Sequence, residues 1–120
     1  MKKILVVDDS RAMRMIVRRT LRQAGFDGLD VQEAGDGQEA LGVIDAWAPD
    51  LVLSDWNMPN MSGLELLRSL RGKGDTRPFG FVTSESTPEM RKLASDSGAL
   101  FLIAKPFDED TFRAALQPVL

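Results

Sequence analysis

Short apolar runs alternate five times with longer stretches in which apolar residues recur every three or four positions. Ile4–Val7, Leu29–Ala34, Leu51–Ser54, Phe79–Thr83 and Leu100–Ala104 read as strands. The first, third and fifth are almost continuously apolar, as strands covered on both faces are. Arg11–Ala24, Gln38–Trp47, Gly63–Leu70, Pro88–Ser97 and Glu109–Gln117 read as helices. In the last of these, Phe112, Ala115, Leu116 and Val119 keep helical spacing, and Pro118 limits the length.

Local chemistry marks several helix ends. Ser62 with Glu65 forms a capping-box signature, with Met61 and Leu66 spaced for the accompanying hydrophobic staple. Before the fourth helix, Ser86 with Glu89 and Thr87 with Pro88 offer competing caps one residue apart. Asp108 can cap the fifth, where Glu109 and Asp110 complement the positive helix end. Gly25 and Gly98 fall just past helix ends, where a left-handed residue is wanted. Strand–helix alternation with short links implies right-handed parallel βαβ units. Five of them make a three-layer, doubly wound (βα)5 sandwich, with residues 1–120 as one domain.

Composition removes whole classes of function. The chain has 120 residues, 43% of them hydrophobic and 28% charged, which is ordinary for a globular domain. With no cysteine there is no disulfide scaffold and no thiol or zinc–thiolate chemistry. With no histidine there is no His-based triad, no His-ligated metal and no phosphohistidine on this chain. A net charge of −3 gives no general reason to bind nucleic acid. No run approaches the ~20 apolar residues of a membrane span. Lys2-Lys3 before Ile4–Val7 is too short to be a signal peptide, because the apolar stretch stops at two aspartates. A cytoplasmic protein is expected.

Sites in open parallel sheets form outside the carboxyl ends of the strands. There the first strand delivers Asp8-Asp9, the third Asp55, the fourth Thr83 and the fifth Lys105. Taken singly each is ordinary: an acid after a strand is often a helix cap (Asp9 or Ser10 here), a threonine a turn residue, a Lys-Pro pair a loop. Together, three acids, a hydroxyl and an amine converge from four strand ends. Crowded carboxylates repel, and a hard dication resolves the repulsion. Mg²⁺ suits such oxygen ligands and keeps waters and phosphate in its shell. A carboxylate that the metal does not consume can attack a phosphoryl group. The Thr83 hydroxyl, the Lys105 ammonium and the Trp56 backbone N–H can then serve the phosphoryl oxygens.

These residues resemble those of the two-component response regulator receiver domains, in the single-domain chemotaxis form. The most specific stretch is Asp55-Trp56-Asn57-Met58-Pro59-Asn60-Met61-Ser62-Gly63-Leu64-Glu65-Leu66-Leu67, and Val6-Val7-Asp8-Asp9, Val82-Thr83 and Lys105-Pro106-Phe107 complete it. The resemblance spans essentially the whole chain. It implies a flavodoxin-like, CheY-like fold with strand order 2-1-3-4-5 and no output domain. It implies that Asp55 accepts a phosphoryl group from a histidine kinase or histidine phosphotransfer protein, in a switch that assists its own phosphorylation and dephosphorylation rather than turning over a substrate. Asp9, Asp55 and the backbone carbonyl of Asn57 would ligate Mg²⁺, with Asp8 helping through water. Thr83 and Lys105 would bind the phosphoryl oxygens, the Lys105–Pro106 bond would be cis, and Asn57 and Glu85 would tune the lifetime of the phosphorylated state. The implied product is a monomeric signalling protein with a downstream protein target, the flagellar motor switch being the chemotaxis-type candidate. A phosphorelay intermediate and a receiver cut from a larger regulator are the alternatives.

One position departs from the pattern. Three residues before the site lysine the family usually carries an aromatic switch residue, and here stands Leu102. Phe101 is adjacent but faces the other side of its strand. Met13 matches a family residue near this region and reads equally as helix core. On the first helix Arg11, Arg14, Arg18 and Arg22 fall within about 80° of arc, either a solvated face or a dock for an acidic partner. Receiver domains often meet their histidine-bearing partner with this helix. Gly80, inside the fourth strand, marks a close backbone approach or a bulge. Other functions fit less well. The main aspartyl phosphatases carry an Asp-x-Asp pair after the first strand and a cap region, both missing here. A flavin carrier needs phosphate donors where Asp8-Asp9 stand. A module that has lost phosphorylation would not keep the full acid set.

Overall fold

The computed structural model describes residues 2–120. The elements are β1 (Lys3–Val7), α1 (Arg11–Gln23), β2 (Asp30–Ala34), α2 (Gly37–Trp47), β3 (Leu51–Ser54), α3 (Gly63–Gly72), β4 (Phe79–Thr83), α4 (Pro88–Asp96), β5 (Phe101–Ala104) and α5 (Glu109–Leu116). The strands form one parallel sheet in the order β2-β1-β3-β4-β5, as expected.

Alternate residues of each strand feed two cores. Leu5, Val7, Val52, Phe79 and Phe81 pack with Ala40 and Ile44 of α2, Leu66, Leu67 and Leu70 of α3, and Ala94 of α4. Ile4, Val6, Leu51, Leu53, Val82 and Ile103 pack with Val17 and Leu21 of α1 and Phe112 and Leu116 of α5. This two-sided burial explains why the central strands lack polar alternation. The exposed surface, 6062 Å², lies close to the roughly 6,400 Å² expected for a chain of this mass.

The caps follow the local chemistry. Ser62 and Glu65 exchange both capping-box hydrogen bonds, at 3.1 and 3.0 Å. Ser10 caps α1, and Asp108 caps α5. At α4 Thr87 wins over Ser86, because its hydroxyl accepts from the Met90 N–H while Pro88 takes the first helical position. Gly25 and Gly98 have φ of +95° and +101°.

The boundaries shift by a residue or two. Leu29 and Leu100 lie outside the strands, and Leu100 is 58% exposed although its N–H donates to the Phe79 carbonyl of β4 at 2.8 Å. Ala24, Ser97 and Gln117 are C-caps rather than helical residues. Asp36 caps α2 and draws Gly37 into the helix, and α3 runs on to Gly72. Gly80 is neither a bulge nor a close approach of backbones, since its register is regular and a ring lies against it. It pairs directly with Phe101, whose ring occupies the space a Cβ would need. Phe101 belongs to the α1/α5 side and Leu102 to the other, as strand alternation requires. Among the described residues no helix is long and apolar enough to cross a membrane.

Candidate functional site

Three strands end at one edge of the sheet and deliver the site. β1 runs into Asp8 and Asp9, β3 into Asp55 and β5 into Lys105. Oxygens of Asp8, Asp9 and Asp55 all lie within 4.8 Å of one another. The backbone holds them there: the Asp55 N–H donates to Val7 O at 2.8 Å and the Asp8 N–H to Ala34 O at 3.1 Å. Gly63 at the start of α3 lies so close to the Asp55 carbonyl that a side chain would strike it. The β3–α3 loop therefore turns tightly beside Asp55.

Lys105 closes the acid set. Its Nζ donates to Asp8 Oδ2 at 2.9 Å and to Asp55 Oδ2 at 3.1 Å, from 97 and 50 residues away. Burial works against the Lys105 charge, but the Asp8 hydrogen bond and the charges of Asp55 and Asp8 outweigh it, so its pKa lies above the usual lysine value. The remaining oxygens are not free: Asp8 Oδ1 accepts from the Ser10 N–H at 2.9 Å, and Asp55 Oδ1 from the Trp56 N–H at 2.6 Å. The Asp9 carboxylate is exposed and accepts no hydrogen bond among the described residues.

The other expected residues lie around this centre. Thr83 ends β4, fully buried, and its hydroxyl accepts from the Glu85 N–H at 3.2 Å. Asn57 is exposed on the β3–α3 loop, and its Nδ2 donates to Glu85 Oε1 at 3.3 Å. Trp56 is buried against Phe81, with ring centroids 4.6 Å apart. The Lys105–Pro106 bond is cis, as the resemblance implied. Met13 packs on the α1/α5 core and, with Ile16, Lys105, Pro106 and Phe107, lines a shallow apolar cavity.

The donor set suits a hard cation. The side chains that could hold an ion are all carboxylates, and the chain has no histidine or cysteine to favour a softer metal. Three carboxylates against one ammonium leave two negative charges, which a divalent cation balances.

The arginine stripe is not the uniform face that helical spacing suggested. Arg14 turns inward. Its Nε donates to Glu33 Oε1 at 2.7 Å, and its Nη1 to the Asp8 carbonyl at 2.6 Å. Arg18 shares Glu33 at 2.9 Å. The signal for this was present in the alternation of the second strand, which puts Glu33 on the same face as Val31, under α1.

Residues 4–117 match the family model described as the response regulator receiver domain. The chain belongs to this family. Over 118 residues this receiver domain is 40% identical to the response regulator MprA of Mycobacterium tuberculosis, a match covering 98% of the chain and 50% of MprA. The chain thus spans about half the length of the curated relatives it matches. Among solved structures, the chemotaxis protein CheY4 of Vibrio cholerae is 37% identical with a TM-score of 0.87, covering 100% of this chain and 99% of that one. The receiver domain of the Francisella response regulator 1452 is 28% identical, with a TM-score of 0.84 over 99% of this chain and 96% of that one.

Proposed function

We propose that this receiver domain is a phosphorylation-controlled switch of a two-component system, with Asp55 as its phosphoacceptor. The observation that carries the reading is the Lys105 ammonium, held between Asp8 and Asp55 inside a cluster of three carboxylates. An Asp55 oxygen attacks the phosphorus of a phosphohistidine on a kinase or phosphotransfer protein. The P–N bond breaks, the imidazole leaves with a proton taken from solvent, and an acyl phosphate remains on Asp55. Lys105 exchanges its bond to the Asp55 carboxylate for one to a phosphoryl oxygen, and the Thr83 hydroxyl supplies a further donor. Asp9, Asp55 and the Asn57 carbonyl hold Mg²⁺, with Asp8 assisting; the bound ion supplies neutralisation of the phosphoryl charge. Asn57 and Glu85, bonded to each other at the rim, govern access of water to the acyl phosphate.

The test is intact-mass spectrometry after incubation with acetyl phosphate and Mg²⁺. The parent gains one phosphoryl group, and Asp55→Asn gains none. Equal labelling of Asp55→Asn overturns the assignment.

For the role of the whole protein, the likeness to the chemotaxis protein CheY4 supports a chemotaxis-type regulator, which we read as monomeric, cytoplasmic and acting on a protein target such as the flagellar motor switch. The half-length match to MprA supports a second reading, the receiver portion of a longer regulator or relay. Two preparations separate them, a beryllofluoride-loaded protein for binding and a protein phosphorylated with acetyl phosphate for transfer. Selective retention of a motor component favours the first, and phosphoryl transfer from Asp55 to a phosphotransfer protein favours the second.

A further inference from the structure

We propose that Arg14, anchored by Glu33, is a positioning residue that aims the Asp8–Asp9 pair at the divalent cation; this rests on the metal-site reading above. The Asp8 carbonyl that accepts from Arg14 Nη1 belongs to the peptide joining Asp8 to Asp9. That unit is planar, so holding its oxygen also sets the Asp9 N–H and Cα. The rest of Asp8 is already tied: its N–H to Ala34, its Oδ1 to the Ser10 N–H, and its Oδ2 to Lys105. Among the described residues the Asp9 side chain makes no hydrogen bond, so the placement of its Cα, from which the carboxylate projects, rests on this backbone.

Arg14 suits the task because one rigid guanidinium meets two acceptors. Nε takes Glu33 on β2 and Nη1 takes the β1–α1 turn, so the turn is braced against the neighbouring strand. The Arg14 side chain is only 17% exposed, against 39% for Arg18. Burial pushes the Glu33 pKa up, but the hydrogen bonds from Arg14 and Arg18 outweigh it and hold it below the usual carboxylate value, so the anchor stays charged at neutral pH. A lysine offers a single ammonium and cannot brace both acceptors in this geometry. By charge alone, a cation beside a cation site weakens metal binding. Charge and positioning therefore predict effects of opposite sign.

The experiment titrates Mg²⁺ alone into the parent, Arg14→Lys, Arg14→Met and the charge-conserving double variant Arg14→Met/Glu33→Met. The readout is the amide NMR shifts of Asp9, Ser10 and Trp56, with melting temperature in EDTA recorded separately. Positioning predicts that all three variants bind Mg²⁺ more weakly, by about tenfold as is typical when a residue supporting a metal ligand is lost. A charge effect alone predicts parent-like affinity for Arg14→Lys and tighter binding by Arg14→Met, which overturns the proposal. Where a single variant does not fold, the double variant decides, because removing both partners strands no buried charge, and Arg18, which also loses Glu33, is 39% exposed. Unchanged affinity in the double variant overturns the proposal as well. A parent whose amides do not respond to Mg²⁺ overturns the metal-site reading itself, and this inference with it.

Discussion

Replacing Asp9 with asparagine should make the metal-free protein more stable and the metal-bound protein less so. Lys105 pairs with Asp8 and Asp55, so in the absence of metal Asp9 adds uncompensated negative charge to a cluster whose oxygens lie within 4.8 Å. One net repulsion at that distance amounts to about 3.5 kcal/mol at an effective dielectric constant near 20. Asp9 is exposed, and solvent screening brings the figure down to about 1 kcal/mol. For a domain of this size that corresponds to a rise in melting temperature of about 4 °C in EDTA. With Mg²⁺ at a hundred times its Kd, the parent gains about 2.7 kcal/mol. A variant that has lost a direct ligand gains almost none of this, so the order of the two melting temperatures reverses. Asp8→Asn should behave differently. Asp8 is 3% exposed and bonded to both Lys105 and Ser10, so that variant should lose stability already in EDTA. Differential scanning fluorimetry in EDTA and in MgCl₂ reads all three proteins. An Asp9→Asn protein that melts lower than the parent in EDTA and keeps the full Mg²⁺-dependent rise would refute the reasoning.

Three further outcomes are expected. Gly80→Ala drives a Cβ into the Phe101 ring and should cost about 2 kcal/mol in urea denaturation; in the Phe101→Ala background the same change should cost much less, and equal cost in both backgrounds would show that the ring is not the obstacle. Asp75 has its pKa lowered by its side-chain hydrogen bond with Arg77, against the opposing pull of burial; its contribution is present above the unfolded value of about 3.9 and is lost as pH falls through the lower folded value. The urea-midpoint gap between the parent and Asp75→Asn should therefore narrow as the pH is lowered below about 4, and a gap that widens there would contradict the assignment. Beryllofluoride with Mg²⁺ should shift amide resonances across residues 83–92 and 100–107, the outcome expected if, with leucine at 102 in place of an aromatic switch, the readout passes to the loop after Thr83 and the α4 and α5 faces; shifts confined to the neighbours of Asp55 would instead favour a relay that only carries the phosphoryl group.

Much of the framework was set by local rules and was therefore readable along the chain. Apolar runs such as Ile4–Val7 and Leu51–Ser54 had to be strands covered on both faces, and Ser62 with Glu65 had to begin a helix, because both depend on neighbours a few residues away. The strand-end acids were legible for the same reason, since a parallel sheet brings all of its carboxyl ends to one edge. The family resemblance supplied the strand order, the cis Lys105–Pro106 bond and the roles expected of Asn57 and Glu85. What tertiary structure decided was which groups actually meet. Only the register of β4 against β5 lays Phe101 over Gly80, and only the docking of α1 on β2 takes Arg14 from the solvated stripe and ties it to Glu33 and the Asp8 carbonyl. Likewise the choice of Thr87 over Ser86 was settled by which hydroxyl found the Met90 N–H. Helical and strand periodicity give the direction of a side chain about its own axis. The distance to a partner many residues away is set by packing, and packing is where the site acquires its charge balance.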